Sequence, residues 1–186
     1  MAAAEDLDDL VAGARARDPA TWTEVYRNAY PRLYAYARRR LPSSETAEDA
    51  VSETMSRAVE GIGRYRGEGG GLIAWLHGIL RNVVLDAQNS SRRFSPESAP
   101  DLVADGADPV EHLLRDEDAV RVRRAFATLS AAEQEIVELR VVSGLRADAV
   151  GSIVGRRSGA IRMVQNRALA KMRAQLDGGG EVHCAG

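Results

Sequence analysis

Six basic residues, Arg156, Arg157, Arg162, Arg167, Lys171 and Arg173, fall between Ala149 and Leu176, a stretch without a single acid. Ile161, Val164, Ala168 and Met172 recur at helical spacing and must face a core. Arg162, Met163, Asn166, Arg167 and Lys171 are thereby left on other faces. A helix whose first turns lie in a DNA major groove needs such side chains: arginine pairs with guanine O6 and N7, asparagine with adenine N6 and N7. Arg156 and Arg157 just before it suit phosphates. The plain alternative is a solvated basic face on a structural helical hairpin. The absence of any counter-charge argues for DNA.

A second group is the loop Arg64, Tyr65, Arg66, Gly67, Glu68, Gly69, Gly70, Gly71, followed by Leu72 and Trp75. Its glycines could suggest a phosphate cradle, but no Lys-Ser/Thr follows and no strand precedes, so nucleotide binding is not expected. It is either a flexible connection or a receiver of an extruded base, since unpaired bases are held by aromatic stacking and edge pockets. Asp49 and Glu53, four apart on a helix, have no nucleophile or histidine nearby and read as an exposed patch or a protein-docking surface. Trp22, Tyr26, Tyr30 and Tyr34 read as core. His77, His112, His183 and Cys184 lack metal-ligand spacing. No catalytic group, metal or cofactor is expected.

The elements that must position these residues are helical; no run alternates with the period of a strand. The fold class expected is all-α: two small helical domains joined by a flexible acidic linker, the C-terminal one a helix-turn-helix. Residues 1–18 form an acidic lead-in and 19–93 a first helical domain. Residues 94–115, with Pro96, Pro100 and Pro109, form the linker. Residues 116–177 form the second domain, and 178–186 a disordered tail.

In the first domain, Trp22, Val25, Tyr26, Leu33, Tyr34 and Ala37 fall near one face of a helix that Pro31 kinks or splits. Ser43 or Ser44 caps the next helix, which carries Ala47, Ala50, Val51, Met55, Ala58 and Val59. A third begins near Leu72. In the second domain, Ser130 and Glu133 make a capping box ahead of an apolar face of Ile136, Leu139 and Val141. Gly144 ends that helix. A short helix follows with Val150, Ile153 and Val154 inward and Gly155 at its left-handed end. The turn Arg156 to Gly159 then leads to the basic helix, which is helix-turn-helix order.

The 186 residues carry a net charge of −2, so any nucleic-acid signal lies in distribution. Phe94 to Ala119 holds eight acids against Arg115 alone. Cys184, the single cysteine, allows no internal disulfide. The acidic start lacks the basic region of a secretory signal, and no apolar run reaches membrane-spanning length. A cytoplasmic protein without membrane insertion is expected.

In this order the segments resemble extracytoplasmic-function (ECF) sigma factors of the main bacterial sigma family, from about Pro19 to Leu176. Ala47 to Val59 looks like the family's polymerase-binding helix. Arg64 to Gln88 looks like its promoter-melting segment. LSAAEQEIVELRVVSGL with the helix-turn-helix looks like its C-terminal domain. The resemblance implies that Asp49, Ser52, Glu53 and Arg57 meet the β′ clamp helices of core RNA polymerase, and that the polymerase β flap is a further partner. It implies that Arg64 to Leu72, Trp75, Arg81 and Asn82 take flipped bases of the minus-ten element. Arg156, Arg157, Ser158, Arg162, Met163, Asn166, Arg167 and Lys171 would serve the minus-thirty-five element. The linker would thread the polymerase cleft, and an anti-sigma protein is a further implied partner. Ser52 stands where the family usually has glutamine, and Arg157-Ser158-Gly159 where it often has Pro-Glu-Gly.

The implied function is to bind core polymerase, direct it to promoters and promote melting through two DNA contacts joined by a tether. The alternatives are a helix-turn-helix regulator that binds duplex DNA without polymerase and an adaptor that binds only proteins.

Overall fold

The computed structural model describes residues 10–67, 70–94 and 116–178, and every regular element in them is helical. A short helix α1 (Val11–Arg15) precedes α2 (Pro19–Arg38). Asp18 caps α2 by accepting from the Thr21 amide at 2.8 Å, and Pro19 occupies the first helical position, where its missing N–H costs nothing. Pro31 neither splits nor ends α2. It is exposed, so the carbonyl it leaves without an amide partner faces water.

The buried stripe of α2 is Val25, Ala29, Leu33, Tyr36 and Ala37. Centring the stripe there rotates Tyr26, Tyr30 and Tyr34 to its edge. Tyr30 and Tyr34 are half-buried and pack against the core, whereas Tyr26 is 42% exposed, which corrects its assignment to the core. The three rings run along the helix with centroids 5.2 and 5.5 Å apart.

Helix α3 (Ser44–Gly61) opens on a capping box between Ser43 and Thr46. Its buried face is small: Ala47, Ala50, Val51, Thr54 and Ala58. The Thr54 hydroxyl donates to the Ala50 carbonyl at 2.7 Å, so its burial leaves no unpaired hydroxyl. A 3₁₀ turn (Ile62–Arg64) leads into the glycine loop, and α4 (Gly71–Phe94) follows. The first half of α4 is buried on several sides, through Leu72, Ile73, Ala74, Leu76, His77 and Leu80, because α2, α3 and a helix of the C-terminal unit all pack on it.

The C-terminal unit comprises α5 (Asp116–Ala127), α6 (Ala131–Val137), α7 (Ala147–Val154) and α8 (Ser158–Gly178). The Ser130–Glu133 capping box forms as the sequence indicates. Beyond Val137 the helix widens into a π turn (Glu138–Val142), with the Ser143 amide donating to the Glu138 carbonyl at 2.9 Å. This widening corrects the expected stripe. Ile136 and Leu139 are buried, but Val141 is 58% exposed and Glu138 turns inward.

Gly155 ends α7 in the left-handed region at φ 70°, as the sequence indicates. Ser158 and Gly159 belong to the first turn of α8, so the connection itself is Gly155 to Arg157. A side chain at Gly151 would collide with the Arg156 carbonyl, so only glycine lets this turn fold back on α7.

The two units share one core. Leu72, Leu76 and Leu80 of α4 belong to the same buried cluster as Leu139, Leu145, Ala149, Val150 and Ile161. Gly70, at φ 103°, lies against Ala149 so closely that a side chain there would strike the Ala149 methyl. Leu129, Val137 and Ala168 form a smaller cluster that belongs to the C-terminal unit alone. The lead-in before residue 10, Glu68 and Gly69, the linker beyond Phe94 and the tail beyond Gly178 lie outside the described residues.

Candidate nucleic-acid interface

Helix α8 is positioned by Ile161 and Ala168, both fully buried, and by half-buried Val164 and Met172. That anchoring turns Arg162, Met163, Asn166 and Arg167 outward, and Met163 is 56% exposed. Arg156 and Arg157 are exposed at the turn, and Ser158 is half-buried at the start of the helix. A cationic face with one thioether and one carboxamide therefore begins at the helix N-terminus, where backbone N–H groups also favour anions.

Lys171 is placed differently from the rest. Its Nζ lies 2.6 Å from Glu133 Oε1, on the carboxylate that closes the α6 capping box. The lysine contact, with the Ser130 hydrogen bonds behind it, holds Glu133 down at about 2. Lys171 thus ties α8 to α6.

The glycine-loop set divides. Arg64, Arg66 and Gly67 are exposed. Tyr65 and Leu72 are buried: Tyr65 packs beside the start of α4, and Leu72 lies within its first turn. The Tyr65 carbonyl accepts from the Arg15 guanidinium at 2.6 Å, and its ring tilts against Trp75 at 5.4 Å. Trp75 and Gly71 are half-buried. Asn82 is exposed, seven positions beyond Trp75 and so on the same side of α4. Gly70 is covered on one side by α7.

Arg81 is engaged across the junction between the units. Its Nε donates to Glu135 Oε1 at 2.7 Å, and Tyr36 donates its hydroxyl to the same oxygen at 3.1 Å. Glu138 pairs with Arg40 and has Arg39 at 4.0 Å. The Arg40 guanidinium lies 3.9 Å above the Tyr36 ring. Burial raises the Glu138 carboxyl above its ordinary value, and the cations of Arg40 and Arg39 oppose that without cancelling it. His77 lies edge-on to Tyr36 with Nδ1 at 2.8 Å from the Ile73 carbonyl, and burial lowers it to about 4.

None of Tyr36, Arg39, Arg40, Glu135 and Glu138 stands out in the sequence as a site residue. The run Arg38-Arg39-Arg40 at the end of α2 is the signal that could have marked them.

On α3, Asp49, Ser52 and Glu53 are all exposed on one flank. Arg57 Nε donates to Glu53 Oε1 at 2.7 Å and reaches Asp86 at 3.8 Å, so its charge is shared within the unit. Beside them a groove runs between α2 and α3, lined by Trp22, Tyr26, Met55 and Val59. Among the described residues no group of His, Cys, Asp or Glu could hold a metal ion, and no helix is long and apolar enough to cross a membrane.

Residues 25–94 match the family model Sigma-70 region 2. The chain is 30% identical over 184 residues to the ECF RNA polymerase sigma factor SigD of Mycobacterium tuberculosis, covering 95% of this chain and 87% of that one. It is 32% identical over 171 residues to the ECF RNA polymerase sigma factor BldN of Streptomyces coelicolor, covering 90% and 65%. Among solved structures, CnrH in complex with the cytosolic domain of CnrY shares the fold at a TM-score of 0.65 and 19% identity, covering 92% of this chain and 98% of that one. The sigma factor RpoE of Bartonella quintana, in complex with the anti-sigma factor NepR, does so at 0.65 and 24%, covering 83% and 96%. The chain belongs to the ECF RNA polymerase sigma factor family.

Proposed function

We propose that this chain binds core RNA polymerase, directs it to specific promoters and promotes DNA melting there. The observation that carries the reading is the outward face of α8. Arg162, Met163, Asn166 and Arg167 are held off the core by Ile161 and Ala168, directly behind a turn that Gly151 and Gly155 allow to close. That face reads the minus-thirty-five element in a major groove, with Arg156, Arg157 and Ser158 at the flanking phosphates.

Asp49, Ser52 and Glu53 meet the β′ clamp helices, with Arg57 holding Glu53, and the C-terminal unit meets the β flap. Arg64, Arg66, Trp75 and Asn82 form the minus-ten side, where unstacked bases are trapped without ATP. Each DNA contact is weak alone, and joining them raises the effective concentration of the second. An anti-sigma protein is a further partner, and the protein works in the cytoplasm without chemistry of its own.

The test is transcription from fragmented genomic DNA by core polymerase with and without the purified chain. Discrete run-off products that require the chain support the reading. No specific product, together with tight duplex binding in the absence of polymerase, would instead make it an ordinary helix-turn-helix regulator.

A further inference from the structure

The junction between the two units carries more charge than docking requires. Three arginines of the N-terminal unit, Arg39, Arg40 and Arg81, converge on two carboxylates of the C-terminal unit, Glu135 and Glu138. Tyr36 adds a hydroxyl to the same place. Only 5% of the Glu138 side chain is exposed, and Arg40 is 15% exposed. Ion pairs buried to this degree gain little net stability, because removing both partners from water costs about what their attraction returns. Apolar contacts through Leu72, Leu76, Leu139 and Val150 would hold these helices together without them.

We propose that Arg39, Arg40 and Arg81, with the Tyr36 hydroxyl, form a binding site for the phosphodiester backbone of promoter DNA, which Glu135 and Glu138 occupy as carboxylate stand-ins while the units are docked. Guanidinium forks bind carboxylate and phosphate oxygens with the same planar geometry, so one anion can replace the other. The hydroxyl supplies a further donor to an anionic oxygen. Arg40 is fixed over the Tyr36 ring and needs no rearrangement to receive a different anion. The placement also suits DNA. Arg81 precedes Asn82 on α4 and lies about 100° round the helix from it, so the arginine cluster adjoins the exposed side that carries Asn82. Gly70 packed on Ala149 shows that the same docking covers one side of the glycine loop. DNA and the C-terminal unit therefore compete for one surface. The outward face of α8 stays free in the docked form, so duplex recognition can precede undocking.

The inference rests on the promoter-binding reading above, but its test uses DNA without polymerase, so the two fail separately. A labelled, mixed-sequence single-stranded oligonucleotide is titrated into the full chain at several salt concentrations. The isosteric pair Glu135→Gln and Glu138→Gln removes the stand-in charges. It should tighten binding by about tenfold, and the salt dependence should steepen by about 0.7 for each phosphate gained. Adding Arg39→Gln and Arg40→Gln should abolish both gains. A glutamine variant that binds like the wild type, or a gain that survives loss of the arginines, overturns the proposal. Hydrogen exchange on the unmodified chain supplies an answer independent of variant folding. Saturating oligonucleotide should speed exchange across Leu139 to Val150, and unchanged exchange there would also overturn it.

Discussion

Glu135 and Arg81, 54 positions apart in sequence, meet at 2.7 Å across the junction of the two helical units, and the Tyr36 hydroxyl completes the contact. An arginine of α4 is thus held by an acid of the unit that carries α8. The contact joins the two helical units alongside their shared apolar core.

The outward face of α8 gives the sharpest mutational prediction. Arg167→Ala should reduce discrimination at the minus-thirty-five element by about 1–3 kcal/mol if it makes a base contact. Competition binding of the polymerase holoenzyme against substituted promoters measures it. An equal loss on every sequence would place Arg167 on a phosphate.

The exposed flank of α3, proposed above to meet polymerase, predicts loss of partner without loss of fold. Asp49 and Glu53 are exposed, so Asp49→Arg with Glu53→Arg should change folding stability by no more than about 0.5 kcal/mol per site. Affinity for core polymerase should nevertheless fall by about tenfold or more, measured by equilibrium binding to labelled core enzyme. Unchanged affinity would move the clamp contact off this flank of α3.

Gly70 predicts a defect in docking. Its φ of 103° suits only glycine, and any side chain there meets Ala149. Gly70→Ala should weaken the docked arrangement by about 1–3 kcal/mol and expand the chain in small-angle scattering. Adding Ala149→Gly relieves the collision but not the backbone strain, so it should restore compactness only in part.

His77 predicts a dependence on pH. The folded protein keeps its imidazole neutral down to about 4, whereas the unfolded chain protonates it near 6.5. Stability from this residue is therefore present above about pH 6.5 and is lost as pH falls towards 4, by about 3 kcal/mol in all. Urea unfolding at intervals across that window should show the slope, and His77→Gln should flatten it. Glu138 acts in the opposite sense. Its raised carboxyl favours the folded state most where it is protonated, and that contribution is lost as pH rises through its folded value.

Much of the fold is legible in the sequence because its signals are local. Ser43, Ser130 with Glu133, and Gly155 each mark a helix end through their own backbone geometry. The outward set on α8 follows from the spacing of Ile161, Val164, Ala168 and Met172 within one helix. What the sequence hides depends on contacts made at a distance. Tyr26 leaves the core because the stripe of α2 centres on Val25, Ala29 and Leu33, which only its neighbours decide. Val141 turns outward because a π turn adds a residue that no helical period anticipates. The pairing of Lys171 with Glu133 joins residues 38 positions apart, which the spacing within one helix does not reveal. The burial of Tyr65 and Leu72 likewise follows from packing between helices, which the loop's own residues do not reveal.

Promoter opening is where the whole reading is most exposed to test. Permanganate reactivity of thymines is followed on a promoter that gives a chain-dependent run-off product, with the chain and core polymerase supplied separately and together, without ATP. Reactive thymines at the minus-ten element should appear only when both proteins are present. A duplex that stays unreactive with both, while the chain alone binds it tightly, would contradict the assignment of initiation to this protein.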